Sequence, residues 1–296
     1  MIKASKDTMK SINKENVLNS FINRDVLSKS DISDRTKLCS ATVSNLIAEL
    51  VKEGLVQEKS MGTSSGGRKP MLYALNGELA YVLSIRVTPK GATAAIINLK
   101  CKIVQSEIIL QPVYGVWGLS KLLTHVVSEF YESYPDLFQR VIAVAVSLPG
   151  IMQFSTRTVI YSAPLGIEDV DVGEIIDQIS PFPIKTYIFK DTDALILGEY
   201  HFSDMPKYKN VAYILCENGV GFSLILQETL FSRDGCGLEL GHQTIDINAK
   251  PCKCSMPGCV GTLLSEAPAV KRYLEIYEKQ RNSFISLNSL NYDDLI

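Results

Sequence analysis

Apolar residues in the first 75 positions recur at helical spacing and then alternate. Val17, Leu18, Phe21 and Ile22 give a first helix one apolar face. A second, short helix is expected from about Lys29 to Arg35 with Ile32 inward, followed by a turn at Thr36-Lys37-Leu38. A third, from about Ser40 to Glu53, carries Val43, Leu46, Ile47, Leu50 and Val51 on one stripe and turns Ser40, Thr42, Ser44, Asn45 and Glu49 the other way. Gly54 stands where such a helix ends on a left-handed residue. Alternation then predicts two strands, Leu55–Lys59 and Met71–Leu75, joined by Gly62-Thr-Ser-Ser-Gly-Gly-Arg-Lys-Pro70.

The texture changes at about residue 79. Tyr81–Val87 and Thr93–Asn98 read as adjacent strands around a Pro89-Lys90-Gly91 turn, and Lys102–Ile109 continues the sheet. A helix at about Leu119–Ser133 precedes the wholly apolar Val141–Val146, expected to be buried on both faces. Lys185–Phe189 leads through Lys190-Asp191 into a helix reaching Glu199, and Val211–Cys216 opens a second lobe. This order of hairpins and crossover helices indicates an α/β fold.

Three helices and a hairpin form the winged variant of the helix-turn-helix, so residues 1–76 are expected to be a DNA-binding domain and 77–296 an effector domain, its first lobe about 77–200. The second helix of such a motif enters the major groove with its N-terminal side chains against base edges. Ser40, Thr42, Ser44 and Asn45 are short hydrogen-bonding groups at that end, and Arg68 and Lys69 on the glycine-rich wing suit phosphate or minor-groove contact. The competing reading is a solvated polar face on a protein-binding three-helix module.

Charge supports the DNA reading modestly. Residues 1–75 hold 12 Lys/Arg against 8 Asp/Glu, a balance of +4, while the whole chain stands at −2 and the rest therefore at −6. With 46% hydrophobic and 21% charged residues, the 296-residue chain has the composition of a folded protein of two or three units. The start lacks an apolar export segment and no run reaches spanning length, so a cytoplasmic protein without membrane contact is expected. Seven cysteines then read as thiols or metal ligands rather than as a disulfide framework.

The sharpest chemistry is Glu239-Leu-Gly-His242 followed by Cys252-Lys-Cys254 and Cys259. One imidazole and three thiolates make the ligand set of a closed, four-coordinate structural zinc site, with no position left for a reactive water. Pro257 and Gly258 permit the turn that returns Cys259 to Cys254. A cluster of buried free cysteines is the alternative. Cys236 lies out of pattern and reads as a free thiol, and His125 and His201 have no evident partner.

Glu-x-Gly-His with Cys-x-Cys-x4-Cys downstream, behind a three-helix head with a Ser-Ser-Gly-Gly-Arg-Lys-Pro wing, resembles the ROK family of repressors and sugar kinases from about Glu15 onward. The resemblance implies an actin-like, two-lobed body of the sugar-kinase (RNase H-like) fold, zinc on His242, Cys252, Cys254 and Cys259, and sugar contacts from Glu239, His242 and Asp191. Asp191 aligns with the catalytic base of the kinases.

Against the kinase pattern, Arg86-Val-Thr-Pro-Lys90 replaces the Asp-x-Gly-x-Thr phosphate turn, and the second phosphate loop opens with Glu217. Lys190 replaces an Asn and Gly261 a sugar-binding Glu. The chain ends at Ile296, earlier than family members usually do, which implies an incomplete second lobe. The expectation is therefore a repressor of carbohydrate-related genes that does not catalyse, binding an operator as a homodimer or higher oligomer. It would respond to a sugar, a sugar phosphate or a partner protein. A sugar kinase with an appended DNA-binding head is the alternative.

Overall fold

The computed structural model describes residues 6–61, 70–203, 208–217, 219–232, 238–252, 254–265 and 268–274. Arg68, Lys69 and Cys236 lie outside them.

The N-terminal part builds α1 (Lys6–Asn19), β1 (Leu27–Ser28), α2 (Lys29–Thr36), α3 (Ser40–Lys52), β2 (Val56–Met61) and β3 (Met71–Leu75), with the strands antiparallel in the order β1-β3-β2. A capping box starts α2: the Ser28 hydroxyl accepts from the Asp31 amide at 3.2 Å and the Asp31 carboxylate from the Ser28 amide at 2.8 Å. The Ser28 hydroxyl, which donates to the Asp31 carboxylate at 2.7 Å, and the Ser28 amide hold that carboxyl below its ordinary range. The end of α3 is a Schellman motif. Leu55 N donates to Leu50 O and Gly54 N to Val51 O, both at 3.0 Å, with Gly54 at φ 76°.

Val17, Phe21, Ile32, Val43, Leu46, Ile47, Leu50, Val56 and Tyr73 share one buried core. Phe21 enters it from the turn after α1, not from the helix, which ends at Asn19. The apolar spacing thus runs on past the helical backbone, because the turn returns Phe21 to the same core.

After a 3-10 turn at Gly77–Leu79 come β4 (Tyr81–Thr88), β5 (Gly91–Asn98), β6 (Ile103–Ile109), α4 (Gly115–Ser133), α5 (Pro135–Phe138) and β7 (Val141–Leu148). The stretch up to Lys185 forms β8 (Ile151–Gln153), β9 (Thr158–Ser162), β10 (Ile167–Asp171) and α6 (Val172–Ile179), whose Val172, Ile175, Ile176 and Ile179 fall at helical spacing. Then follow β11 (Lys185–Lys190), α7 (Asp191–Phe202), β12 (Val211–Cys216), β13 (Val220–Leu226), β14 (Thr229–Leu230), a 3-10 turn at Leu240–His242 and α8 (Gly261–Leu264).

The larger sheet has the order β11-β7-β4-β5-β6, with β7 parallel to both β4 and β11 and the other pairs antiparallel. Alternate residues of β4, Tyr81 to Val87, are buried, and they meet α4 through Leu119, Leu122, Leu123, Val126 and Phe130. Burial of β7 on both faces is incomplete: Ile142 at its start is 56% exposed. Separate antiparallel sheets are β10-β9-β8 and β12-β13-β14. No helix among the described residues is long and apolar enough to cross a membrane.

Candidate functional site

His242 is delivered by the 3-10 turn after Glu239, and the three cysteines by the loop that follows. That loop is folded by its own backbone. Bridges pair Thr244 with Cys259 and Pro251 with Pro257, Cys252 N donates to Met256 O at 2.8 Å, and Val260 N to Gln243 O at 2.9 Å. Gly258 is required here: at φ 55°, a Cβ would lie 1.7 Å from the Asp246 carbonyl oxygen. The result brings one ligand atom each from His242, Cys252, Cys254 and Cys259 within 4.8 Å of one another.

Cys254 Sγ is 3.6 Å from Cys259 Sγ, and Cys252 Sγ is 3.7 Å from His242 Nδ1. Bonds of about 2.3 Å to sulfur and 2.0 Å to nitrogen imply tetrahedral edges of roughly 3.5–3.8 Å. The donor set and its spacing therefore fit a closed four-coordinate ion. The Met256 amide holds the Cys254 thiol down at about 7, whereas burial, with the neighbouring sulfurs, pushes Cys259 up to about 11.

A second cluster gathers where β4 and β11 end. Lys190, 3% exposed, places Nζ 2.6 Å from Glu239 Oε1. Arg86 Nη2 lies 3.2 Å from Glu217 Oε1, and Arg86 Nε is buried without a partner. Asp191 begins α7 and accepts from the Thr192 amide at 2.7 Å. Burial raises its carboxyl above the ordinary value, opposed by the Thr192 amide, Lys190 and Arg86 and reinforced by Glu217. Behind it, the Ser223 hydroxyl reaches both Thr192 Oγ1, at 2.8 Å, and the buried Asp193 carboxylate. Of the expected effector contacts, Asp191 and Glu239 come together around Lys190, and His242 turns Nδ1 toward the cysteines.

The third cluster is on α3. Ser40 and Asn45 are exposed and Ser44 half-buried; Thr42 is half-buried too, its hydroxyl 3.1 Å from Cys39 Sγ. Ala41 and Ala48 are exposed on the same side, a pair that helical spacing from Asn45 would have found. Glu49 is taken up by α1, with Lys10 at 2.6 Å and Lys14 at 3.4 Å, and Lys14 also reaches Glu53 at 2.6 Å.

The ROK family model matches residues 82–295, most of the chain, with Arg86, Lys190, Asp191, Glu217 and Glu239 all inside the match. The chain belongs to the ROK family. A ROK relative, the xylose repressor of Caldicellulosiruptor bescii, is 29% identical over 261 residues, covering 87% of this chain and 65% of that protein. The chain thus spans about two thirds of the length of that repressor. The crystal structure of a ROK family transcriptional regulator, homologous to the Escherichia coli MLC protein, superposes with a TM-score of 0.78 at 22% identity, over 97% of this chain and 73% of that one. A ROK family glucokinase from Streptomyces griseus, in complex with glucose and AMPPNP, gives 0.59 at 18% identity, over 68% and 62%. The α/β fold is that of ROK regulators and ROK sugar kinases alike, so fold alone does not choose between them.

Proposed function

We propose that this ROK protein is a DNA-binding transcriptional repressor of carbohydrate-related genes, with residues 1–76 as a winged helix-turn-helix domain and 77–296 as a sugar-sensing body. The observation that carries the reading is the outward face of α3: short exposed groups at Ser40 and Asn45, with half-buried Ser44 beside them, on a head with its own core. Asn45 presents an amide able to pair with adenine, Ser40, Thr42 and Ser44 add hydroxyls, and Arg68 and Lys69 supply wing charges for the backbone. A homodimer or higher oligomer reading a two-fold operator, in the cytoplasm, follows from this role. Relatives named as xylose repressors support it.

In the body, Asp191, Glu239 and His242 are the groups we assign to a sugar or sugar-phosphate effector. Zinc would be held by His242, Cys252, Cys254 and Cys259. When bound it supplies a fixed structural link and no reactive water, because all four positions are filled by protein. On the family resemblance Arg86 and Glu217 occupy the phosphate-cradling turns of the kinases; they pair at 3.2 Å, and the Glu217 carboxylate would oppose a phosphate. These residues support a body that does not catalyse.

A gel shift of the protein with its own upstream region, with and without xylose, tests the regulator reading. A second reading, a sugar kinase with a DNA-binding head, draws on the likeness in fold to the glucokinase and on Asp191, which the family resemblance aligns with the catalytic base. Sugar-dependent ATP turnover that disappears in Asp191→Asn would establish it.

A further inference from the structure

Two contacts between the head and the body, among the described residues, belong to different sheets. The first is the 3-10 turn at Gly77–Leu79. On its head side Asn76 Nδ2 donates to Gly54 O at 3.0 Å and Asn76 N to Leu55 O at 2.9 Å. On its body side the Glu78 carboxylate accepts from Tyr81 at 2.5 Å and Asn98 at 3.0 Å, and its carbonyl from Arg140 at 2.8 Å. The turn is therefore pinned to β4, β5 and the approach to β7.

The second place is Asn23, whose Nδ2 donates to the carbonyl oxygen of His201 in the last turn of α7. The first turn of α7 is bound to the other sheet: Thr192 Oγ1 donates to Phe222 O at 3.4 Å, and Ser223 joins Thr192 to Asp193. Lys190, immediately before α7, holds Glu239. A helix of 12 residues is about 18 Å long, so α7 runs from the charged cleft to the head as one rigid element.

We propose that Asn23 is a positioning residue, and that α7 is the strut through which closure of the cleft sets the orientation of the head. The inference rests on reading residues 1–76 as the DNA-binding head. One attachment is fixed to the five-stranded sheet and the other to a helix that follows β11 directly and packs mainly on β12 and β13. Any change in the angle between those sheets must therefore shift one attachment relative to the other. Arg86–Glu217 and Lys190–Glu239 join the same two parts at the cleft, so breaking either pair releases the far end of the strut. The coupling is energetic and must run both ways.

Amide hydrogen exchange on the full chain tests this without DNA or an effector. Asn23 sits at φ 58°, where glycine is at ease, so Asn23→Gly removes the side chain without straining the backbone. Glu217→Gln opens the cleft pair at an exposed position, and Lys190→Met opens the other. Either cleft variant should speed exchange of segment 20–28 roughly fivefold or more, while residues 43–50 of α3 stay protected. In the Asn23→Gly background exchange of 20–28 is already raised, and the cleft variants add nothing. Unchanged exchange in 20–28 with both cleft variants, or an undiminished effect in Asn23→Gly, overturns the proposal. A gel shift on the same proteins reports separately on DNA reading, so the two can fail independently.

Discussion

Lys190 and Glu239 meet at 2.6 Å with unequal burial: 4% of the lysine side chain reaches solvent against 36% of the glutamate. The pair should therefore be asymmetric to mutation. Glu239→Ala leaves a buried ammonium without its counter-charge, a loss of about 3 kcal/mol. Lys190→Met fills the same space and returns the carboxylate to water, costing about 1 kcal/mol. Urea midpoints at unchanged m measure both, and equal costs or the reverse order would contradict this account.

Asp191 carries a pH signature with a definite sign. Burial raises its carboxyl in the folded protein, so the folded state holds that proton more tightly than the unfolded chain. The ionised group then weighs against folding at neutral pH, and the penalty disappears as pH falls below the ordinary value of 3.8. Asp191→Asn should melt higher than wild type at pH 7 and lose that advantage near pH 3. It should also lose any response to sugar.

Metal content is the most direct test of the cysteine loop. Protein purified without added zinc should carry about one equivalent, and Cys254→Ser should lose it. The ligands must be thiolates, yet burial holds the Cys259 thiol up at about 11 without metal. Binding must release protons, so apparent affinity should rise with pH through the neutral range. A folded wild type free of metal, or an affinity flat with pH, would remove zinc from the site.

On DNA, Asn45 and the wing should fail differently. Asn45→Ala should cost about 1–3 kcal/mol on the operator and flatten discrimination among related sequences. Arg68→Ala or Lys69→Ala should weaken binding to many sequences alike, each lowering the salt slope by about one. Thr42→Ala should act less on binding than Asn45→Ala, since its hydroxyl already faces Cys39. Titrations at several salt concentrations separate these outcomes.

What could be read beforehand was local. The stripe of Val43, Leu46, Ile47 and Leu50 announces a buried helix face, and four metal-ligating residues within 18 positions announce their own meeting. Phe21 misled because its spacing continues a helix whose backbone has already turned. The stretch forming β8 to β10 was opaque, since short strands on a small sheet show too few residues for a period to emerge, whereas Val172, Ile175, Ile176 and Ile179 carry the helical spacing of α6 in plain view. The cleft pairs were hidden for another reason. Arg86 and Glu217 are 131 positions apart, and Lys190 and Glu239 are 49 apart, so only the sheet order and the path of the chain bring them together.

The outward side of α3 has a steric meaning of its own. Ser40, Ala41, Asn45 and Ala48 are exposed there with Ser44 beside them, and none extends further than an asparagine. A helix with its side chains is about 10–12 Å across, but on this side the backbone is almost bare. How deeply the stretch from Ser40 to Ala48 can settle into a surface is thus limited by its main chain, the long and exposed Lys52 standing on this side only in the last turn. A long residue at Ala41 or Ala48 would work as a spacer, lifting the whole helix while leaving every polar group intact.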